Sequence, residues 1–77
     1  MGLGGYRIEA YNQRGKAFAN KGRYDNAIHD FDQVISLDPK NAEAFYNRRM
    51  AKKKKGDEIG AAADIATAKS INPNIGR

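Results

Sequence analysis

Apolar side chains recur at helical spacing in the first half of the chain. Ile8, Tyr11 and Phe18 follow one another at intervals of three and seven residues. A second apolar stripe, at positions i, i+1, i+4, i+7 and i+8, runs from Ala27 to Ile35. Because an α-helix completes a turn in about 3.6 residues, this spacing gathers the apolar side chains on one face. The pattern predicts two amphipathic helices, near residues 7–21 and 24–37.

Turn-forming residues and helix caps divide the chain into four segments. Gly22 readily adopts the left-handed conformation that ends many helices, so it closes the first segment. Pro39 closes the second, because the residue before a proline is disfavoured in the helical region. Asn41 and Asp57 are N-cap residue types placed just before two further segments. The sequence therefore predicts four helices, near residues 7–21, 24–37, 41–55 and 58–71.

The second half of the chain repeats the first with a period of 34 residues. Ten of the 34 aligned positions are identical, whereas chance would give about two or three. Other aligned pairs are conservative, such as Tyr11 with Phe45 and Leu37 with Ile71. The identical residues, numbered in the first unit, are Glu9, Ala10, Arg14, Ala17, Lys21, Gly22, Ala27, Asp30, Ser36 and Pro39.

Large, small, aromatic and proline residues follow a fixed order in the first unit. They are Tyr11, Gly15, Phe18, Ala27, Phe31 and Pro39, with Tyr24 just after the turn. This order resembles the tetratricopeptide repeat, a family whose 34-residue unit is a helix, a turn and a helix. The resemblance implies an all-α fold in which two helix-turn-helix repeats stack as a short right-handed α-solenoid. Gly15 and Ala27 are then expected where the paired helices approach closely.

The resemblance also implies how the chain is organised. A flexible N-terminal leader is expected at residues 1–7, the first repeat at 8–41, the second at 42–75 and a short tail at 76–77. The second repeat departs from the pattern of the first, because Arg49, Lys52, Glu58 and Ile65 stand at its small and aromatic positions. We therefore expect weaker packing in the second repeat.

The family binds partners on a concave face that is lined by the first helix of each repeat. By resemblance, that face would carry Asn12, Gln13, Lys16, Asn20, Tyr46, Asn47, Met50, Lys53 and Lys54. The implied function is a protein–protein interaction module that holds a peptide or a partner protein. Lysine and asparagine can bind carboxylate through charge-assisted hydrogen bonds, so an acidic peptide is one expected partner.

The composition argues against several other classes of protein. The chain has no cysteine and a single histidine, His29, so neither a disulfide framework nor a structural metal site is expected. No apolar run approaches the roughly 20 residues that span a bilayer. The sequence also lacks a nucleophile beside a base and a phosphate-binding glycine loop. We expect no enzymatic activity, no cofactor and no membrane partner.

Two alternatives to peptide binding rest on particular residues. The net charge of +5 includes a basic cluster of Arg48, Arg49 and the lysines of 52–55, which could bind nucleic acid in a salt-dependent way. The same lysines would also suit a solvated helix end, where cations complement the helix dipole.

The other alternative is self-association through the uncapped end of the second repeat. A two-repeat solenoid lacks neighbours to cover its terminal faces, and no capping helix is predicted after Pro73. We expect this end to expose apolar side chains that could support a homodimer or contact with another protein. These side chains are Ile59, Ala62, Ile65 and Ala66.

Overall fold

Four α-helices make up the protein in the computed structural model, which describes residues 3–76. They are α1 (Leu3–Asn20), α2 (Tyr24–Leu37), α3 (Ala42–Lys55) and α4 (Glu58–Ile71). No strand occurs between residues 3 and 76. The all-α prediction is confirmed, and the predicted bounds of α2, α3 and α4 agree with the structure to within one residue.

The first helix begins earlier than the sequence indicated. α1 starts at Leu3, so helix covers residues 3–7 of the segment that was assigned to a flexible leader. The three glycines of residues 1–7 favour a flexible leader, but extending an existing helix adds one hydrogen bond for each residue fixed. Residues 5–7 of this added turn are exposed, with Tyr6 at 79%. Residues 1 and 2 of the leader lie outside the described part of the chain.

The predicted helix ends are confirmed in their geometry. Gly22 and Gly56 have φ angles of 78° and 102°, so both occupy the left-handed region that ends a helix. At the starts of α3 and α4, the side chains of Asn41 and Asp57 accept the backbone N–H three residues later at 2.9 Å. The turns between paired helices are therefore set by local chemistry.

Each helix packs on the next one along the chain. α1 pairs with α2 and α3 pairs with α4, while α2 packs against α3 and joins the two pairs. The core of this arrangement contains Ala27, Phe31 and Ala51, with Phe18 and Tyr24 packed against them. α1 and α3 touch over only a short stretch.

The closest approach of α1 and α2 occurs at Gly15. A β-carbon at this position would lie 2.6 Å from Cε1 of Phe31, well inside van der Waals contact. The expectation that Gly15 marks a close helix contact is confirmed. In the second repeat, Arg49 and Ile65 take the equivalent positions, so the larger side chain is on the first helix of that pair.

An arginine–aspartate pair joins the two helices of each repeat. Nε and Nη2 of Arg14 donate to the two carboxylate oxygens of Asp30, both at 2.8 Å. Arg48 donates in the same way to Asp64, at 2.8 and 2.7 Å. Both aspartates are buried, at 1% and 3% exposure. The two pairs are equivalent in the 34-residue repeat, so the same interaction closes both units.

Arg48 also links the two repeats. Its Nη1 donates to Oδ1 of Asp32, on α2 of the first repeat, at 2.8 Å. Its hydrogen bonds to Asp64 and Asp32 raise the pKa of Arg48 above its ordinary value, despite partial burial. Arg48 therefore stays charged and holds α2, α3 and α4 together.

We predict that Gly15→Ala destabilises the protein. The new methyl group must displace the Phe31 ring, and such overpacking costs about 1–3 kcal/mol. Gly5→Ala is the matched control on the same helix, because nothing lies within 4 Å of its β-carbon. Urea unfolding should show a lower free energy of unfolding for Gly15→Ala than for Gly5→Ala. Equal stabilities would contradict the close packing of α1 and α2.

Candidate peptide-binding groove

A groove of about 250 Å³ lies between α1 and α3. It brings together four of the nine side chains that were predicted to bind a partner: Lys16, Asn20, Asn47 and Met50. Ala19 and Phe31 complete its walls. Lys16 and Asn20 are one turn apart on α1, and Asn47 and Met50 are nearly one turn apart on α3. Three polar side chains and an apolar wall therefore share one concave surface.

A second cavity, of about 310 Å³, continues this groove. The two cavities share Ala19, Asn20 and Met50, and the second one extends along the repeat junction to Tyr24 and Lys54. Lys54 thereby becomes the fifth predicted residue on the surface. We call the two cavities together the peptide groove.

Charge along the peptide groove is partly balanced by one carboxylate. Nζ of Lys16 lies 3.5 Å from Oε2 of Glu43, so the ion pair connects α1 to α3. Both side chains are about half exposed, at 45% and 57%. An exposed pair of this kind contributes only about 0–1 kcal/mol, so a ligand carboxylate can compete for Lys16.

Two amide side chains in this part of the protein lack hydrogen-bond partners. Oδ1 of Asn12 and Nδ2 of Asn47 are buried and bond to no other group within the described residues. Asn12 is only 8% exposed, so it lies beneath the surface of α1. A buried polar group without a partner costs about 1–3 kcal/mol. The buried amide nitrogen of Asn47 is therefore a local cost to the stability of the groove wall.

The remaining predicted residues lie elsewhere. Tyr46 borders a cavity of about 180 Å³ with Arg49 and Ile65, and Lys53 borders another of about 200 Å³ with the same two residues. Both cavities lie where α3 meets α4. Gln13 is exposed on α1, where its amide donates to Glu9 at 3.4 Å. The structure thus separates Tyr46, Lys53 and Gln13 from the peptide groove.

Helical spacing explains why the predicted residues of α3 lie on two different surfaces. Tyr46, Arg49 and Lys53 form one stripe along α3, whereas Asn47, Met50 and Lys54 form the adjacent stripe. Neighbouring stripes on a helix differ by about 100° in direction, so they face different surfaces. Core residues such as Ala19 and Phe31 also line the groove, and their apolar character gave no sign of a surface role.

Much of the basic cluster on α3 is already paired with carboxylates. Arg48 binds Asp64 and Asp32, and Nζ of Lys52 lies 3.2 Å from Asp64. Lys55 pairs with Asp25 at 2.5 Å, and this hydrogen bond raises the pKa of Lys55 above its ordinary value. Only part of the cluster's charge is left for another molecule.

The guanidinium of Arg49, in the same cluster, lies over the ring of Tyr46, 5.9 Å from its centroid. Among the described residues, Arg49, Lys53 and Lys54 form no salt bridge. These three cations are therefore the ones that the cluster can offer to a ligand.

The outer surface of α4 exposes apolar side chains. Ile59 is 87% exposed, Ala62 and Ala66 are exposed, and Ile65 is half-buried.

No helix of the described chain is both long and apolar enough to cross a membrane. The residues that the structure describes also contain no group of three or more metal-ligating side chains.

The sequence is similar to known helical repeat proteins. Residues 8–41 match the tetratricopeptide repeat family. The chain belongs to the tetratricopeptide repeat family. This match coincides with the first helix pair, which carries Gly15, Phe31 and the Arg14–Asp30 pair. It ends where the second repeat begins, and that repeat differs at its small and aromatic positions.

Relatives of the chain include tetratricopeptide repeat protein 36 from several vertebrates. The mouse protein is 35% identical over 69 residues, which are 90% of this chain and 37% of the mouse protein. The zebrafish protein is 36% identical over 71 residues, 92% of this chain and 38% of the relative. The human protein is 33% identical over 69 residues, 90% of this chain and 36% of the relative. The chain therefore spans little more than a third of the length of these relatives.

Proposed function

We propose that the chain is a non-enzymatic interaction module that holds an extended, acidic peptide in the peptide groove. One observation carries this proposal. Five side chains selected from the sequence as partner-binding, Lys16, Asn20, Asn47, Met50 and Lys54, line one continuous surface between α1 and α3. The general role of tetratricopeptide repeats in binding other proteins supports it.

Each groove side chain offers a different contact to a peptide. The ammonium groups of Lys16 and Lys54 attract carboxylates through charge-assisted hydrogen bonds. The side-chain amides of Asn20 and Asn47 suit the amide groups of an extended backbone. Met50 is 42% exposed and its flexible thioether adapts to an apolar side chain. The groove therefore fits a peptide that alternates acidic and apolar side chains.

We predict that an acidic extended peptide with a free C-terminus shifts the backbone amide signals of the peptide-groove residues. Lys16→Gln should weaken this binding about two- to fivefold, the range expected for one exposed ion pair. Lys40→Gln is the control, because it removes the same charge from the exposed turn before α3. Titrations of labelled protein at physiological salt would measure both affinities. Equal weakening by both variants would mean that the peptide responds only to the net charge of the protein. It would reject the groove as the peptide-binding site.

Nucleic-acid binding is less well supported than peptide binding. Arg48, Lys52 and Lys55 hold carboxylates of the protein itself, so their charge is largely neutralised. Nonspecific nucleic-acid binding depends on the number of cations that can neutralise phosphates. A short oligonucleotide added in place of the peptide should therefore produce weak shifts that disappear at physiological salt.

Self-association through α4 is a second candidate function. The side chain of Ile59 is 87% exposed, and Ala62 and Ala66 extend the apolar surface along the same helix. Burying this surface against a second copy would remove apolar area from water, which favours association. We propose a weak homodimer that pairs the α4 surfaces of two copies.

We predict that the sedimentation coefficient of the protein rises with concentration and that Ile59→Lys abolishes this rise. The introduced charge would be buried without a partner in the dimer. Tyr6→Lys is the matched control, because Tyr6 is also largely exposed, at 79%, but lies on α1. A wild-type protein that stays monomeric at the highest accessible concentration would exclude this dimer.

A further inference from the structure

The first helices of the two repeats share four identical side chains on one face. Ala44, Arg48, Ala51 and Lys55 of α3 correspond to Ala10, Arg14, Ala17 and Lys21 of α1. Their spacing of four, three and four residues places each set on a single helical stripe. The same four residues therefore stand in two different environments within one protein.

In α3 this stripe packs against the preceding helix, α2. Ala44 and Ala51 are fully buried, at 0% and 1% exposure. Nη1 of Arg48 donates to Asp32 of α2 at 2.8 Å, and Lys55 pairs with Asp25 of α2. Asp25 and Asp32 are seven residues apart, so they lie on the same face of α2, two turns from each other.

In α1 most of the same stripe is exposed, and only Arg14 contacts another helix through a salt bridge. Ala10, Ala17 and Lys21 are exposed, and the Arg14 side chain is 59% exposed, against 19% for Arg48. Arg14 binds Asp30 through Nε and Nη2, but its Nη1 donates no hydrogen bond within the described residues. Lys21 forms no salt bridge there either. The donors that bind α2 in the second repeat are thus available in the first.

We propose that this stripe, the α1 docking face, binds a helix from another protein that carries two carboxylates seven residues apart. The two carboxylates would pair with Arg14 Nη1 and Lys21, as Asp32 and Asp25 pair with Arg48 and Lys55. Ala10 and Ala17 are small enough to let the partner helix approach closely, as α2 approaches α3 at Ala51.

The contact between α2 and α3 also indicates what lies between the two carboxylates. Ile28 follows Asp25 by three residues and packs against the core cluster that contains Ala51 of α3. A partner helix should therefore have the pattern acidic, two residues, large aliphatic, three residues, acidic. The apolar residue would cover Ala17, and the acidic residues would lie over the two cations.

A second copy of the chain does not supply this helix. Its α2 already holds α3 with Asp25 and Asp32. The corresponding positions of its α4 are Ile59 and Ala66, and neither side chain can accept a hydrogen bond. Head-to-tail stacking of copies would therefore leave Arg14 Nη1 and Lys21 without carboxylates. The charges of the face select a partner of different sequence.

The probe for this proposal is a synthetic peptide with the sequence of α2, Tyr24–Leu37. A peptide of 14 residues is only marginally helical in water, so a covalent staple between the positions of Asn26 and Asp30 holds it helical. These two positions lie opposite the carboxylate-bearing face. The control peptide carries asparagine at both carboxylate positions, Asp25→Asn and Asp32→Asn.

We expect the α2 peptide to shift the amide signals of Ala10, Arg14, Ala17 and Lys21 in the intact labelled chain. The asparagine peptide should bind about tenfold more weakly, since each exposed ion pair contributes up to about fivefold. Lys21→Gln in the chain should weaken binding of the α2 peptide about two- to fivefold. Lys69→Gln, which removes a cation from the last turn of α4, should leave it unchanged.

Three results would overturn the proposal. The first is the absence of shifts on α1 at millimolar peptide, and the second is equal affinity for the two peptides. The third is a set of shifts at Ala44 and Ala51, which would mean that the peptide replaces the protein's own α2. Because no peptide-groove residue belongs to the α1 docking face, failure here would leave the proposed peptide-binding function untouched.

Discussion

The buried arginine–aspartate pair in each repeat is the interaction on which the rest of the fold depends. Asp30 and Asp64 are almost completely buried, and an unpaired buried carboxylate would cost several kcal/mol. Each therefore requires the two-pronged guanidinium of the facing helix, which fixes the distance between the paired helices. Arg48 extends this constraint across the repeat boundary through Asp32. Small residues and helix caps then pack at the helix–helix distance that the arginine–aspartate pairs set.

The same pairing determines which side chains are available for partners. Arg48, Lys52 and Lys55 bind carboxylates of the protein itself, so the number of basic residues on α3 overstates the charge that it offers to a ligand. Lys16 and Lys54 instead lie along the peptide groove, which follows the repeat junction. Arg14 has both roles. It binds Asp30 within the fold through Nε and Nη2, and its Nη1 donates no hydrogen bond within the described residues.

The sequence predicted the fold well because repetition and turn chemistry are local signals. The sequence alone showed the 34-residue period, the glycine at position 22 and the N-cap residues Asn41 and Asp57. The site was harder to predict, since Tyr46 and Asn47 are adjacent in sequence yet line different cavities. The arginine–aspartate pairs were visible only as repeated residues, because contact across two helices depends on how those helices pack. The early start of α1 has no strong signal in a glycine-rich segment.

The dependence of each repeat on its buried pair is tested by comparing the free energies of unfolding of Asp64→Asn and Asp32→Asn in urea. Both substitutions remove a carboxylate from Arg48, but only Asp64 is buried and bound by two hydrogen bonds. We expect a loss of about 1.5–3 kcal/mol for Asp64→Asn, as for hydrogen bonds to charged groups. For the exposed Asp32 we expect a loss of less than about 1 kcal/mol. Equal losses, or an unchanged stability of Asp64→Asn, would contradict the claim that the buried pair organises each repeat.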